Sequence, residues 1–207
     1  MPIFYGTRIL DPRLSAALDL IRYLAQPDYF RRTHVTVRGP YSRRMSQSFE
    51  DSLKIRFSEE QRSLRVVRVG TFFQSTQNTV ILVCKIPGIE SVWAKPDFGS
   101  EEITPHLTLY DGKSREFAYM LRRTAGNYNM KFATKISSIE VLESKRNPAE
   151  YLDTYFEDAS RLYAGLFVRS VDFREIPSMH EFDRIHRIGR LCALIEKEYT
   201  KTIERRK

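Results

Sequence analysis

Two of the four histidines in this 207-residue chain stand in the same short pattern, a histidine followed by an apolar residue, a threonine and a second apolar residue. The pattern occurs as HVTV at residues 34–37 and as HLTL at residues 106–109. Because apolar residues make up near half of an average composition, about one histidine in a hundred would match by chance. Two matches among four histidines therefore indicate a shared chemical role.

The spacing within each pattern suits a β-strand, in which side chains two positions apart lie on the same face. His34 and Thr36 would then share one face of a first strand, and His106 and Thr108 one face of a second. The valines and leucines between them would face a core. If the two strands lie near each other, their imidazoles can flank a single phosphate.

Two imidazoles around one phosphate can catalyse the attack of water or a hydroxyl group on a phosphodiester. One neutral histidine takes the proton of the nucleophile, and the other, protonated, gives a proton to the leaving oxygen. Histidine suits both roles because its ordinary pKa of about 6.5 lets both forms exist near neutral pH. The hydroxyls of Thr36 and Thr108 can bond the non-bridging oxygens, where negative charge builds in the transition state. Either histidine could be the acid.

Four further residues are candidates for substrate binding. Alternation predicts that Arg38 continues the face of the first motif, where it could hold a phosphate through two hydrogen bonds. It likewise places Tyr110 on the face of the second motif, where it could position a phosphate or stack on a base. Arg43 follows the first motif in a polar loop and could hold a second phosphate, and Trp93 could stack on a base. For each, a surface or packing role is the alternative.

The distribution of charge favours an anionic partner. The net charge is +8, and residues 1–146 hold 23 of the 34 Lys and Arg but 15 of the 26 Asp and Glu. The excess positive charge therefore belongs to this part of the chain, and residues 147–207 are balanced. A nucleotide or RNA is the expected partner. The alternative is a slightly basic solvated surface.

Residues 1–146 alternate predicted strands and helices, whereas the pattern after Asn147 is purely helical. Asp11 followed by proline predicts the start of one helix, and Ser114 the start of another. We therefore expect an α+β domain over residues 1–146. Residues 147–207 are expected to form a helical extension that packs on this domain or joins two copies of the chain into a homodimer.

Several classes of protein are not expected from this sequence. No apolar run approaches the roughly 20 residues of a membrane-spanning helix, and no signal peptide is predicted, so we expect a cytoplasmic protein. Cys84 and Cys192 suit reduced core residues rather than a disulfide framework or a zinc site. His180 and His186 lack the spacing of metal ligands, and no phosphate-binding or dinucleotide-binding glycine loop is present. No metal and no cofactor are expected.

The sequences THVTV and PHLTL resemble the paired motifs of the 2H phosphoesterase superfamily. That group includes 2'-5' RNA ligase-like proteins, 2',3'-cyclic nucleotide phosphodiesterases and nucleases that degrade cyclic oligonucleotide signals. The resemblance covers about residues 3–145, with the two histidines 72 positions apart and Pro105 before the second. It implies a bilobal α+β fold in which two antiparallel-sheet lobes surround a central groove. It also implies that Tyr5 lines that groove or stacks on a base.

Two functions are therefore expected from the sequence. The first is a metal-independent phosphodiesterase, a hydrolase that acts on a 2'-oxygen-linked or cyclic (oligo)nucleotide phosphodiester with His34 and His106 as acid and base. The second is a module of the same fold that binds RNA or a nucleotide without cleaving it. Retention of both complete motifs favours the enzyme, and loss of activity in variants of either histidine would separate the two functions.

Overall fold

The computed structural model describes residues 2–29, 31–57, 62–93, 104–142 and 173–200. These residues form an α+β structure of two antiparallel sheets with helices packed against them. The strands are β1 (Ile3–Thr7), β2 (Val35–Tyr41), β3 (Ser63–Phe73), β4 (Asn78–Lys85), β5 (His106–Gly112), β6 (Ala133–Lys135) and β7 (Glu140–Leu142). The α-helices are α1 (Pro12–Ala25), α2 (Gln47–Arg56), α3 (Arg115–Gly126) and α4 (Glu181–Ile195), the last continued by a π-helical turn, Glu196–Thr200.

The two sheets meet along the strands that carry the histidine motifs. One sheet has the strand order β2-β1-β7 and the other the order β5-β4-β3-β6, and one of the two is strongly curled into a half-barrel. Strands β2 and β5 are thus the edge strands of their sheets, and they contact each other. Strand β4, the apolar segment NTVILVCK, lies inside its sheet between β5 and β3. This arrangement places the two motifs side by side.

The predicted helix starts are confirmed. Asp11 caps α1 by accepting a 2.9 Å hydrogen bond from the backbone N–H of Leu14, and Pro12 occupies its first turn. Ser114 caps α3 by accepting a 3.1 Å bond from the N–H of Phe117. Such caps satisfy amide groups that have no partner within the helix. Helix α1 is then buried over most of its length, and it contacts both β5 and α4.

Helix α4 packs on α1 and α3. Its buried stripe consists of Ile188, Leu191, Cys192 and Ile195, each with 2% or less of its surface exposed. Arg184 donates a 3.1 Å hydrogen bond to a backbone carbonyl near the end of α1. The described part of the C-terminal extension is therefore joined to the core, and residues 147–172 of that predicted extension lie outside the described residues.

Both cysteines are buried and free, as predicted. Burial raises the pKa of both thiols, because it disfavours the charged thiolate. Among the helices of the described residues, none is both long enough and apolar enough to cross a bilayer.

Candidate active site

The two motif histidines occupy equivalent places in the two sheets. His106 is the first residue of β5, and His34 directly precedes β2. Both side chains are half-buried, while Val35 and Leu107 beside them are fully in the core. The strands contact each other, and the charge of one guanidinium, that of Arg22 on α1, acts on both imidazoles. The structure therefore brings the two histidines into one site.

Both imidazoles are held by the same hydrogen bond. Nδ1 of His34 lies 2.7 Å from the carbonyl oxygen of Arg32, and Nδ1 of His106 lies 2.8 Å from the carbonyl oxygen of Thr104. A carbonyl oxygen can only accept, so Nδ1 carries the proton in each ring. In the neutral form Nε2 is then unprotonated and can accept a proton. This is the tautomer that a general base requires.

The two threonines share the environment of their histidines. Thr36 and Thr108 are half-buried, as are the histidines two positions earlier in each motif. The residues between them are in the core, so the period-2 alternation predicted for His-x-Thr is confirmed in both strands. Each strand thus presents an imidazole and a hydroxyl on one face.

The predicted alternation fails beyond the threonine of the first motif. In β2, Thr36 pairs with Gly6 and Arg38 with Tyr5, so one residue of β2 is extra. Residues that pair across two strands share a face, and therefore the shift turns Arg38 to the face opposite Thr36. There its Nε donates a 3.0 Å hydrogen bond to the hydroxyl of Tyr41. The prediction that Arg38 shares the histidine face is wrong.

The second motif shows the same shift at the same position. In β5, Thr108 pairs with Ile81 and Tyr110 with Val80, so one residue of β5 is extra. Tyr110 is turned into the core, where 5% of its surface is exposed. Its hydroxyl accepts a 3.0 Å hydrogen bond from the N–H of Ser114. The prediction that Tyr110 shares the face of the second motif is therefore also wrong, and its contacts are those of a packing residue.

The other three predicted binding residues are Tyr5, Arg43 and Trp93. Tyr5 is 1% exposed, and its hydroxyl bonds the N–H of Met45 at 2.9 Å and a carboxylate oxygen of Glu50 at 3.1 Å. These are the contacts of a core residue. Arg43 is exposed in the loop after β2, and Trp93 is half-buried and packs against the core.

A polar stripe on α1, which sequence analysis did not identify, connects the two motifs. Asp19, Arg22 and Gln26 share one face of this buried helix. The carboxylate of Asp19 accepts a hydrogen bond from the N–H of Thr33, directly before the first motif. Gln26 exchanges two hydrogen bonds with the backbone of Asp111, at 3.1 and 3.2 Å, near the end of the second motif strand. Three polar residues spaced i, i+3, i+7 in the mainly apolar second half of this helix are the sequence signal.

Arg22 is the least expected member of this stripe. Only 5% of its surface is exposed, and its Nε and Nη1 are buried with no hydrogen-bond partner among the described residues. Burial lowers the pKa of its guanidinium to about 10, although the carboxylate of Asp19 opposes this shift. The group is still charged at neutral pH. A buried cation with unsatisfied donors is costly, so these donors need an acceptor such as water or an anion.

The two histidines have different electrostatic surroundings. Burial lowers the pKa of His34 to about 3, and the charges of Arg22, Arg8 and Arg31 act in the same direction. Burial also lowers the pKa of His106, and the charge of Arg22 acts in the same direction. In each ring the bond to a backbone carbonyl opposes the shift, but at His106 the carboxylate of Asp111 opposes it as well. Both rings are therefore neutral in the free protein at neutral pH. The difference between them is the nearby carboxylate, which favours a proton on His106.

Two further residues complete the surroundings of His106. The Asp111 carboxylate is fixed by hydrogen bonds from Thr79, at 2.7 Å, and from Gln77, at 2.6 Å. Phe72 on β3 meets the His106 ring edge to face, with the ring centroids 5.5 Å apart, and 43% of its surface is exposed. Sequence analysis missed Phe72, because the contact depends on the pairing of β3 with β4 and of β4 with β5. An exposed ring at this place can stack on a base.

No family model, curated protein or solved structure matches this chain. Nor, among the described residues, is there a group of three or more His, Cys, Asp or Glu side chains that could hold a metal ion. The chemically distinctive feature of the described residues is therefore the histidine pair, with its paired threonines and the arginine behind it.

Proposed function

We propose that this chain is a metal-independent phosphodiesterase of the 2H type, in which His34 and His106 are the acid–base pair. The observation that carries the proposal is the repeated geometry of the two imidazoles. Each is held by its Nδ1 on a carbonyl two residues earlier, each has a threonine two residues later, and the two lie on adjoining edge strands. Two identically prepared bases at one site suit a reaction that moves two protons.

His34 is the general base in this proposal, and His106 is the general acid. Burial, together with the charges of three arginines, lowers the pKa of His34 and holds the ring neutral, with Nε2 free to accept a proton. Asp111 acts on His106 in the opposite direction and favours its protonated form. A bound phosphodiester adds a negative charge to the site, which raises the pKa of both rings. The ring that is protonated first is then His106.

The reaction transfers one proton at each histidine. Nε2 of His34 takes the proton of the attacking water or hydroxyl as its oxygen bonds to phosphorus. His106 gives its proton to the leaving oxygen as the old P–O bond breaks. The hydroxyls of Thr36 and Thr108 donate to the non-bridging oxygens, where charge accumulates. Proton exchange with water then restores the starting forms.

The substrate class that fits is a nucleotide phosphodiester with a 2'-oxygen or a cyclic linkage. The basic excess of residues 1–146 and the arginines near His34 favour an anion. The exposed ring of Phe72 beside His106 favours a base-bearing ligand. Substrates of this class are 2',3'-cyclic phosphates, 2'-5' oligonucleotides and cyclic oligonucleotides.

The test is cleavage of a panel of these compounds in EDTA, with products identified by mass spectrometry. Wild type is compared with His34→Ala and His106→Ala, and with His186→Ala as a matched control on the exposed side of α4. We expect each motif variant to lose about 10²–10⁴-fold in rate, with no loss in the control. Binding of a nucleotide without any product would instead favour the non-catalytic RNA- or nucleotide-binding module, and full activity in either motif variant would exclude the two-histidine mechanism.

A further inference from the structure

We propose that Arg22 and Arg31, with the hydroxyl of Thr33, form a phosphate-binding site on the buried side of His34. The inference extends the proposed function, since it names the groups that hold the phosphoryl oxygens. It assigns the recognition of the anion to helix α1 and to the segment that leads into the first motif. The two motif strands themselves would supply the acid, the base and the threonine hydroxyls.

The strongest support is a cluster of buried donors without partners. Nε and Nη1 of Arg22, Nε of Arg31 and Oγ1 of Thr33 are all buried and make no hydrogen bond to a described residue. Guanidinium nitrogens can only donate, and a hydroxyl can donate as well. Leaving such groups unpaired is costly, so a missing acceptor is indicated. Three of these four donor atoms belong to the two positively charged guanidinium groups. A ligand that can accept from several such donors at once is an oxyanion.

The position of Arg22 along α1 supports the same conclusion. Asp19, three residues earlier, is bonded to the segment before His34. Gln26, four residues later, is bonded to Asp111 on the strand of His106. Arg22 lies between these two attachment points on the same helix face. Its guanidinium is thus held between the two motifs, where a phosphate flanked by both histidines would lie.

The charged side chains near this cluster do not supply the acceptor that its donors need. Two carboxylates act on Arg22, those of Asp19 and Asp111, and both already accept hydrogen bonds from other groups. Asp19 also lies 3.3 Å from Nε of Arg32. Arg31 lies near enough to Arg22 to repel it, and its Cζ is 4.6 Å from the centre of the Tyr29 ring. Two neighbouring guanidinium groups, one of them buried, are stabilised by an anion between them.

Direct binding of inorganic phosphate tests the site without any cleavage. The full chain carrying His34→Gln and His106→Gln is titrated with phosphate by calorimetry, alone and with Arg22→Gln or Arg31→Gln added. Arg190→Gln, an exposed arginine of α4, is the matched control. We expect Arg22→Gln to weaken phosphate binding about tenfold to a hundredfold. Arg31→Gln should also weaken phosphate binding, and the control variant should keep the affinity of the parent protein. Because both histidines are replaced, this result is independent of whether the chain is an enzyme.

A second measurement covers the case in which Arg22→Gln does not fold. In the wild-type chain, phosphate should shift the Nε–H resonance of Arg22 in ¹⁵N NMR spectra and slow its exchange with water. Unchanged phosphate affinity in a folded Arg22→Gln variant would overturn the inference. An Arg22 resonance that phosphate does not move would overturn it equally.

Discussion

Gln26 at the end of α1 and Asp111 on β5 are joined by two reciprocal hydrogen bonds. The side-chain amide of Gln26 donates to the Asp111 carbonyl at 3.1 Å, and the Asp111 N–H donates to the Gln26 side-chain oxygen at 3.2 Å. A side chain here continues the hydrogen bonding of an edge strand that has no neighbour of its own sheet on that side. The second motif strand is thereby attached to the helix that also holds the first.

Replacing Gln26 by leucine should destabilise the protein and slow the reaction. The change removes both bonds and leaves the backbone groups of Asp111 unpaired, at a cost of about 1–3 kcal/mol in unfolding free energy. Urea unfolding measures this loss. The control is Gln47→Leu, since Gln47 is exposed and its side-chain amide donates to Asp51, four residues later on the same helix. Equal stability of the two variants would mean that Gln26 does not hold β5.

Stability should fall as the pH is lowered, with His34 responsible for part of the slope. The folded-state pKa of His34 is about 3, whereas an unfolded histidine has a pKa of about 6.5. The unfolded chain therefore binds more protons in this window. The contribution of His34 to the free energy of unfolding is fully present above about pH 6.5. It decreases as the pH falls toward 3, by up to about 1.4 kcal/mol per pH unit. Unfolding free energies measured between pH 7 and 4 should show a shallower slope in His34→Gln. His186→Gln should keep the wild-type slope.

Asp111→Asn should move the pH profile of cleavage. The carboxylate favours the protonated form of His106, so its loss lowers the pKa of that ring. If His106 is the acid, the basic limb of the kcat/KM profile moves to lower pH, because this limb reports deprotonation of the acid in the free enzyme. An asparagine oxygen can still accept the bonds of Thr79 and Gln77. The exposed Asp183→Asn serves as the control, and a shift of the acidic limb instead would assign the opposite roles.

Phe72→Ala should weaken binding of substrates that carry a base. A stacked base contributes about 1–3 kcal/mol, whereas a side chain that is 43% exposed contributes little to the core. We therefore expect a higher KM for nucleotides, little change in stability and unchanged binding of inorganic phosphate. Phe182→Ala, at an exposed ring of α4, is the control. An unchanged KM would show that the base lies elsewhere.

The parts of this site that the sequence predicted are local. The His-x-Thr faces depend on the period of a strand, and the caps at Asp11 and Ser114 depend on a side chain and an amide three residues away. Such features are determined within a few residues of the chain, so short patterns predict them.

The parts that the sequence did not predict depend on distant partners. Arg38 and Tyr110 left the predicted faces because the pairing of β2 with β1, and of β5 with β4, includes one extra residue. That shift is a property of two strands, and neither strand alone contains it. Arg22 was missed for a related reason. A buried arginine becomes informative only when the segments packed against its helix are known.

Helix α1 also limits how the length of this chain can change. A residue inserted between Asp19 and Gln26 would rotate one attachment point by about 100° relative to the other and move it by about 1.5 Å. The two motifs could then not both keep their bonds to the helix. Natural relatives of this chain should therefore vary in length between other elements and keep the interval of seven residues from Asp19 to Gln26.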